Sequence, residues 1–447
     1  MTRPDFTRAE VLRGGSLVAA GGILSTALAA VLTTILGIEL GDEGFGSYAF
    51  VIATAGLLAA VARLGLGPIV VRDIARSVDG ASAALGSRTP ILTAISITAS
   101  LGLAIGALTV SPIGRSLLDR AGDIQGSMVA ALAVLFASQA LYMTNAASLR
   151  GLHHLGSAAF FGLPVQRLVS LGLVIWVVYI LGDDFTPRLA VWFVAAAAVT
   201  AVAVSGLALW RRIRSLPGTV QDRQGARRMA RDGSPILLSN VLGIGATRLP
   251  VWVLAILGML GEAGVFALAT AYVTMIRFGH KTLIGTLSPF VATSYHTGSR
   301  DDLQRRVRVA AAGSTLSALV ASVAMVVAGT VVVPRLFPSG FSDAVAVAAI
   351  LLVGTIATAY TGPCGLLLNV SGNERWMARA SVISIAVAAI AIFPAGSAWG
   401  AVGGAIVMAV TITIRAALQW RFASAQTGID TRADFGALWH SFRKRRA

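Results

Sequence analysis

Twelve apolar stretches of helical length follow one another along the 447 residues, each separated from the next by a short polar gap. A bilayer core about 30 Å thick takes roughly 20 apolar residues per helical crossing. The pattern therefore predicts membrane-spanning helices over 14–38, 44–67, 89–112, 125–149, 157–181, 189–210, 234–257, 263–291, 309–333, 344–370, 376–393 and 400–420. Little of the chain remains for a soluble domain. The stretches are runs of Leu, Ala, Val and Ile without the short alternating segments of a membrane barrel. In lipid every backbone amide needs an internal partner, so helices are the remaining solution. The run from Ala380 to Ile414 is too long for one crossing, and Pro394, Gly396 and Gly400 predict the turn that divides it. The expected class is an all-α polytopic membrane protein.

Composition agrees: 56% of residues are hydrophobic and 13% charged, with a mean hydropathy of +0.78, too apolar for an ordinary soluble fold. Of the 36 Lys and Arg residues, 26 fall in every second gap and four in the intervening ones. The rich gaps hold Arg3, Arg8 and Arg13; Arg72, Arg76 and Arg88; Arg150; Arg211 through Arg231; Arg300 through Arg308; Arg375 and Arg379; and the six basic residues from Arg421 to Arg446. The poor gaps hold Arg115, Arg120, Arg188 and Arg335. The positive-inside rule then places both termini in the cytoplasm of a multi-pass protein of the inner, or plasma, membrane. Trp192, Trp210, Trp376, Trp399 and Trp420 sit at predicted helix ends, as an interfacial belt requires. The first apolar run is longer than the apolar region of a usual signal peptide and reads as a retained helix.

The net charge of +16 is thus a topology signal, and no nucleic-acid partner is expected. One cysteine, Cys364, allows no intrachain disulfide. No Cys/His spacing suggests a metal, so no cofactor is expected. In the tail, Phe435, Leu438, Trp439 and Phe442 fall at helical spacing ahead of Arg443, Lys444, Arg445 and Arg446. That segment can lie on anionic lipid or be a disordered basic end. The small-residue pairs Gly102/Gly106 and Gly400/Gly404 suit close packing within a monomer.

The basic segment from Arg211 to Asp232, with Pro217, Gly218 and Gly225, divides the helices six and six. The expected organisation is an N-terminal lobe over 1–210, a linker over 211–233, a C-terminal lobe over 234–421 and a tail over 422–447. Two echoes point to duplication. Gly46-Ser-Tyr48-Ala49 opens the second helix as Gly264-Val-Phe266-Ala267 opens the eighth, and Leu149-Arg-Gly151 precedes the fifth as Val370-Ser-Gly372 precedes the eleventh. Parallel repeats of this kind belong to transporters with two lobes around a central cavity.

Six cations remain inside predicted helices: Arg63, Arg167, Arg248, Arg277, Lys281 and Arg415. Arg63 and Arg415 lie near cytoplasmic ends, where snorkelling explains them as well as function does. Arg167 is deeper, with a structural and a functional role both open. Arg248 and Arg277 lie near the middle of their helices, where an unpartnered charge costs at least ~2.5 kcal/mol. Thr270, Thr274, Arg277 and Lys281 share one face of the eighth helix, expected to front a cavity. Asn240 and Thr247 can add neutral hydrogen bonds or serve as interhelical glue. All 20 Asp and Glu residues fall in gaps, tails or helix ends, which points to an anionic substrate as the cations' partner.

Leu40-Gly-Asp-Glu-Gly-Phe-Gly46-Ser-Tyr48-Ala, Arg63-Leu-Gly65-Leu-Gly-Pro68 through to Arg72, Leu149-Arg-Gly-Leu152 and Gly372-Asn-Glu-Arg375 carry a family likeness. Over nearly all its length the chain resembles the polysaccharide or lipid-linked oligosaccharide flippases of the multidrug/oligosaccharidyl-lipid/polysaccharide (MOP) exporter superfamily. The resemblance implies two six-helix lobes, with the first, second, seventh and eighth helices lining the cavity. It makes Arg63, Arg248, Arg277 and Lys281 candidate binders of the diphosphate in a polyprenyl-linked saccharide carried outward by alternating access. Anionic lipid-linked saccharide, membrane lipids and polysaccharide-assembly enzymes are then the expected partners, and no enzymatic activity is expected. The first helix lacks an internal arginine, unlike the peptidoglycan-precursor branch. Two alternatives stand beside this reading. A cation/drug antiporter of the same superfamily usually needs an intramembrane carboxylate, and a membrane glycosyltransferase or polysaccharide polymerase needs catalytic acids or a sizeable outer loop.

Overall fold

A computed structural model describes residues 8–79, 88–122, 126–152, 154–181, 185–214, 216, 223–297 and 300–439. The regular structure among them is helical, with α1 (Arg8–Ala62), α2 (Leu66–Asp79), α3 (Thr89–Val110), α4 (Pro112–Gly122), α5 (Ser127–Gly151), α6 (Leu155–Phe160), α7 (Leu163–Ile175, continued as a π-helix over Trp176–Leu181), α8 (Pro187–Ile213), α9 (Arg223–Ile256), α10 (Leu260–Thr297), α11 (Arg300–Leu336), a 3-10 turn at Ser339–Phe341, α12 (Ala344–Thr361), α13 (Cys364–Val370) and α14 (Glu374–Thr427). Nine helical segments among the described residues are long and apolar enough to cross a membrane. Two of them are each a pair of helices joined at a bent glycine, Gly41 in α1 and Gly400 in α14. With the 38-residue α10, the arrangement is compatible with twelve crossings.

The helices gather into two compact units, Met1–Leu40 with Ser47–Gly245 and Gly41–Gly46 with Ala246–Ala447. In the first, α5 packs along α3 and α8. That contact is built from alanines with no exposed surface, including Ala131, Ala140, Ala147, Ala195 and Ala198. Lipid tails are as apolar as leucine, so helices associate in a membrane by close approach of small residues and by hydrogen bonds. Thr98 and Thr144 join hydroxyls at 3.3 Å across α3 and α5, and Asn145 Nδ2 donates to Ser205 Oγ of α8 at 3.1 Å. Toward its polar end, Leu66, Ile69, Val70 and Ile74 of α2 form a core with Ile91, Leu149, Ile213 and Met229.

In the second unit, α12 packs on α14, with Gly354 letting it approach Ala409 and Ile412. Val253, Ala388, Ile392 and Val407 form one core. Val291, Leu303, Leu367, Leu368, Ala423 and Ile429 form another around α13. Gly46 and Gly264 meet here face to face: a Cβ on either would strike the other helix's backbone.

Several expected boundaries are corrected. The turn assigned to Pro394, Gly396 and Gly400 lies at Gly400 alone (φ 55°, ψ −133°), and α14 runs unbroken through Pro394. A neighbouring helix or local adjustment can satisfy the carbonyl that proline leaves free in lipid. The second helix breaks at 63–65, the fifth at 161–162, and the tenth at Gly362 (φ 73°). The seventh begins at Arg223, ahead of the expected 234.

Candidate functional site

In the first unit the helical path breaks just past Ala62. Leu64 is the only non-glycine with positive φ (47°) among the described residues, and Gly65 follows at 68°. A bulky residue there is a strained one, at a cost of order 1–3 kcal/mol, and such outliers concentrate at functional sites. Gly65 has no room for a Cβ, because the Gly233 carbonyl of α9 occupies that space. The turn leaves Arg63 half-buried and aims its guanidinium over Gly67. Arg63 Nη1 points at the Met143 thioether, 3.4 Å away, a weak acceptor. Its buried Nε has no hydrogen-bond partner among the described residues.

Tyr142 and Gln166 lie beside it, both buried, with the Tyr142 hydroxyl donating to Gln166 Oε1 at 2.7 Å. On the next residue, Arg167 donates from Nη1 to the Ser25 carbonyl and to Ser25 Oγ at 2.9 Å. Tyr142 is within electrostatic reach of both guanidiniums. Neither arginine has an ion pair among the described residues.

The second unit holds another pair. Arg277, midway along α10, and Arg415 of α14 are both half-buried, and Arg415 is close enough for its charge to repel that of Arg277. Neither makes an ion pair among the described residues. On the same face of α10, Thr270 Oγ1 is buried without a partner among the described residues, while Thr274 is exposed and returns its hydroxyl to the Thr270 carbonyl at 2.8 Å. Thr247 and Arg248 are half-buried and already engaged with neighbours, so Arg277 and Arg415, rather than Arg248, are the intramembrane cations of this unit with no ion pair among the described residues. The Lys281 side chain lies outside the described residues. Asn240 is exposed and, with Arg63, belongs to the first unit, whereas Thr247, Arg248, Thr270, Thr274 and Arg277 belong to the second.

Residue patterns alone did not bring Tyr142 and Gln166 into the site. The available sign was a phenol and an amide inside apolar helices, but which cation they face is decided by helix packing. At the polar end of the first unit, Arg72 binds Asp232 at 2.9 Å and Asp73 at 3.2 Å, and Arg228 binds Asp73 at 3.3 Å. The hydrogen bond from Arg72 holds the Asp232 carboxyl below the ordinary carboxylate range. This network ties α9 to the end of α2.

A family model described as "Polysaccharide biosynthesis protein" matches residues 11–294, more than half of the chain. The chain belongs to that family. It shares its fold with solved structures of MOP-superfamily transporters. One is the inward-facing conformation of a multidrug resistance MATE family transporter, at 16% identity and a TM-score of 0.69 over 90% of this chain and 94% of that one. Another is the lipid II flippase MurJ in its inward closed conformation, at 10% identity and a TM-score of 0.70 over 91% and 87% of the two chains. A third is MATE in complex with MaL6, at 16% identity and a TM-score of 0.59 over 93% and 96%. At such identities the likeness is one of fold. No curated protein matches the sequence.

Proposed function

We propose that the chain is a flippase that moves a polyprenyl-diphosphate-linked oligosaccharide or polysaccharide repeat unit from the inner to the outer leaflet by alternating access. The observation that carries the reading is the Arg277–Arg415 pair, two guanidiniums inside membrane helices, Arg277 within reach of the Arg415 charge, with no ion pair among the described residues. Desolvated arginines without acids call for an anionic ligand, and a diphosphate offers oxygens matched to the guanidinium fork. Within the second unit, Arg248 and the hydroxyls of Thr247, Thr270 and Thr274 add to that diphosphate site, with Lys281 a further candidate from the sequence. The family and the shared fold support transport over glycosyl transfer. The absence of acids from the predicted spans favours an anionic cargo over a cation or drug. The setting is the plasma membrane with both termini cytoplasmic, and the partners are membrane lipids and the enzymes that build and polymerise the saccharide.

Liposomes carrying the full chain and a fluorescent polyprenyl-diphosphate oligosaccharide provide the test. Arg277→Gln and Arg415→Gln, each with insertion and folding checked, should slow flipping by about tenfold or more, the loss of one charge-assisted hydrogen bond to the moving group. Normal flipping in both variants would end the reading.

A further inference from the structure

We infer that the first unit carries an oxyanion subsite of its own, with Arg63 and Arg167 as its cationic arms and the Tyr142–Gln166 pair between them. It shares with the proposed function only the premise that the cargo is anionic, and it uses none of the residues of the second unit. Four observations support it. The Arg63 guanidinium has a buried Nε with no acceptor among the described residues and an Nη1 directed at a thioether 3.4 Å away, so donors are left over on a charged group within the membrane. Among the described residues Arg167 is held by Ser25 alone. The backbone at Leu64 is kept in a left-handed conformation that sets Arg63 in place. Gly67 leaves the space its guanidinium fills: a Cβ there would lie 2.8 Å from Arg63 Nη2 and otherwise meet only Ala147, at 3.8 Å.

The chemistry favours a carboxylate or phosphate oxygen. Guanidiniums donate to either, and a phenol and an amide locked to one another at 2.7 Å keep one donor–acceptor array fixed between them, as suits a polyhydroxylated ligand bearing an acid. The oxyanion can be the phosphate of the lipid carrier or the carboxylate of an acidic sugar, and Tyr142 is placed to sense its arrival by the field of both arginines.

The test uses the full chain in nanodiscs with Arg277→Gln and Arg415→Gln combined, which removes the cation pair of the second unit. Inorganic diphosphate and glucuronate are titrated separately, with calorimetry as the readout and tyrosine absorbance as a local one. Binding of either probe is expected to persist in that background and to weaken about tenfold or more on adding Arg63→Gln or Arg167→Gln. Binding of diphosphate alone assigns the subsite to the carrier phosphate, and of glucuronate alone to an acidic sugar. If a glutamine variant does not fold, Gly67→Ala keeps every charge, displaces only the Arg63 guanidinium, and is expected to weaken binding as well. Absence of binding for both probes, or affinity unchanged by Arg63→Gln, Arg167→Gln and Gly67→Ala, overturns the inference. Failure of the flippase reading shows separately, as normal flipping in Arg277→Gln and Arg415→Gln.

Discussion

Asp430 shows how one side chain fastens the end of the chain to the helices. Burial works to raise its carboxyl, but hydrogen bonds from the Arg432 side chain and backbone and from Trp420 Nε1 outweigh it and hold the group at about 2. Around it, the Asp430 amide donates to Gln304, Thr431 Oγ1 donates to the Thr361 carbonyl at 2.7 Å, and Asp434 pairs with Arg308 at 3.1 Å. A carboxyl depressed by folding contributes stability wherever the unfolded group is also ionised, and that contribution disappears as pH falls toward the folded value. The strap over 428–434 should therefore loosen between the ordinary carboxylate range and about 2. Asp430→Asn should show the loosened strap already at neutral pH, at a cost of about 1 kcal/mol, and lose the acid dependence. Trp420 fluorescence and limited proteolysis of the tail check both; equal protection of the variant and the parent at neutral pH would contradict the account.

At the scale of elements, the contact between Gly46 and Gly264 is the sharpest constraint. A methyl on either meets backbone, which cannot step aside, and backbone shifts of this kind cost about 1–3 kcal/mol. Gly46→Ala and Gly264→Ala should each lower the thermal midpoint in detergent by several degrees, whereas Gly56→Ala, with nothing within 4 Å, should hold or raise it. A Gly46→Ala protein as stable as the parent would contradict this packing. The two glycines were legible beforehand as the matching first residues of two echoed motifs, but that they touch was not. Helix existence was legible throughout, since apolar length decides it. Helix interruptions were not, because they depend on tertiary partners. Gly400 bends because Glu262 Oε2 accepts from Ala401 N at 2.6 Å and starts the next helix, while Pro394, the stronger local breaker, is absorbed. The site divides the same way: the six intramembrane cations stood out by elimination, yet the proximity of Arg415 to Arg277 and of Tyr142 to Arg167 arises only when the helices assemble.

For the whole molecule, the charge pattern makes a claim about sidedness that the structure supports unit by unit. Arg72 from one arginine-rich gap and Arg228 from another share Asp73, so those two gaps lie on the same side of the first unit. Likewise Arg308 meets Asp434 of the tail in the second. An even number of crossings separates such gaps, as alternation of rich and poor segments requires. With 26 basic residues in the rich gaps against four in the poor ones, orientation should be single and both termini cytoplasmic. Green fluorescent protein inserted within 217–222 or fused after residue 439 should fluoresce. Alkaline phosphatase inserted within 123–125 or 182–184 should be active, because each reporter matures on one side of a bacterial plasma membrane. Phosphatase activity from the 217–222 insertion would reverse the topology and would put the Arg72–Asp232 clasp on the outer face. A clasp on the cytoplasmic side is what the flippase reading needs, since the saccharide is taken up where it is made, and the polar end of α2, next to the strained turn that carries Arg63, then faces the side from which the cargo arrives.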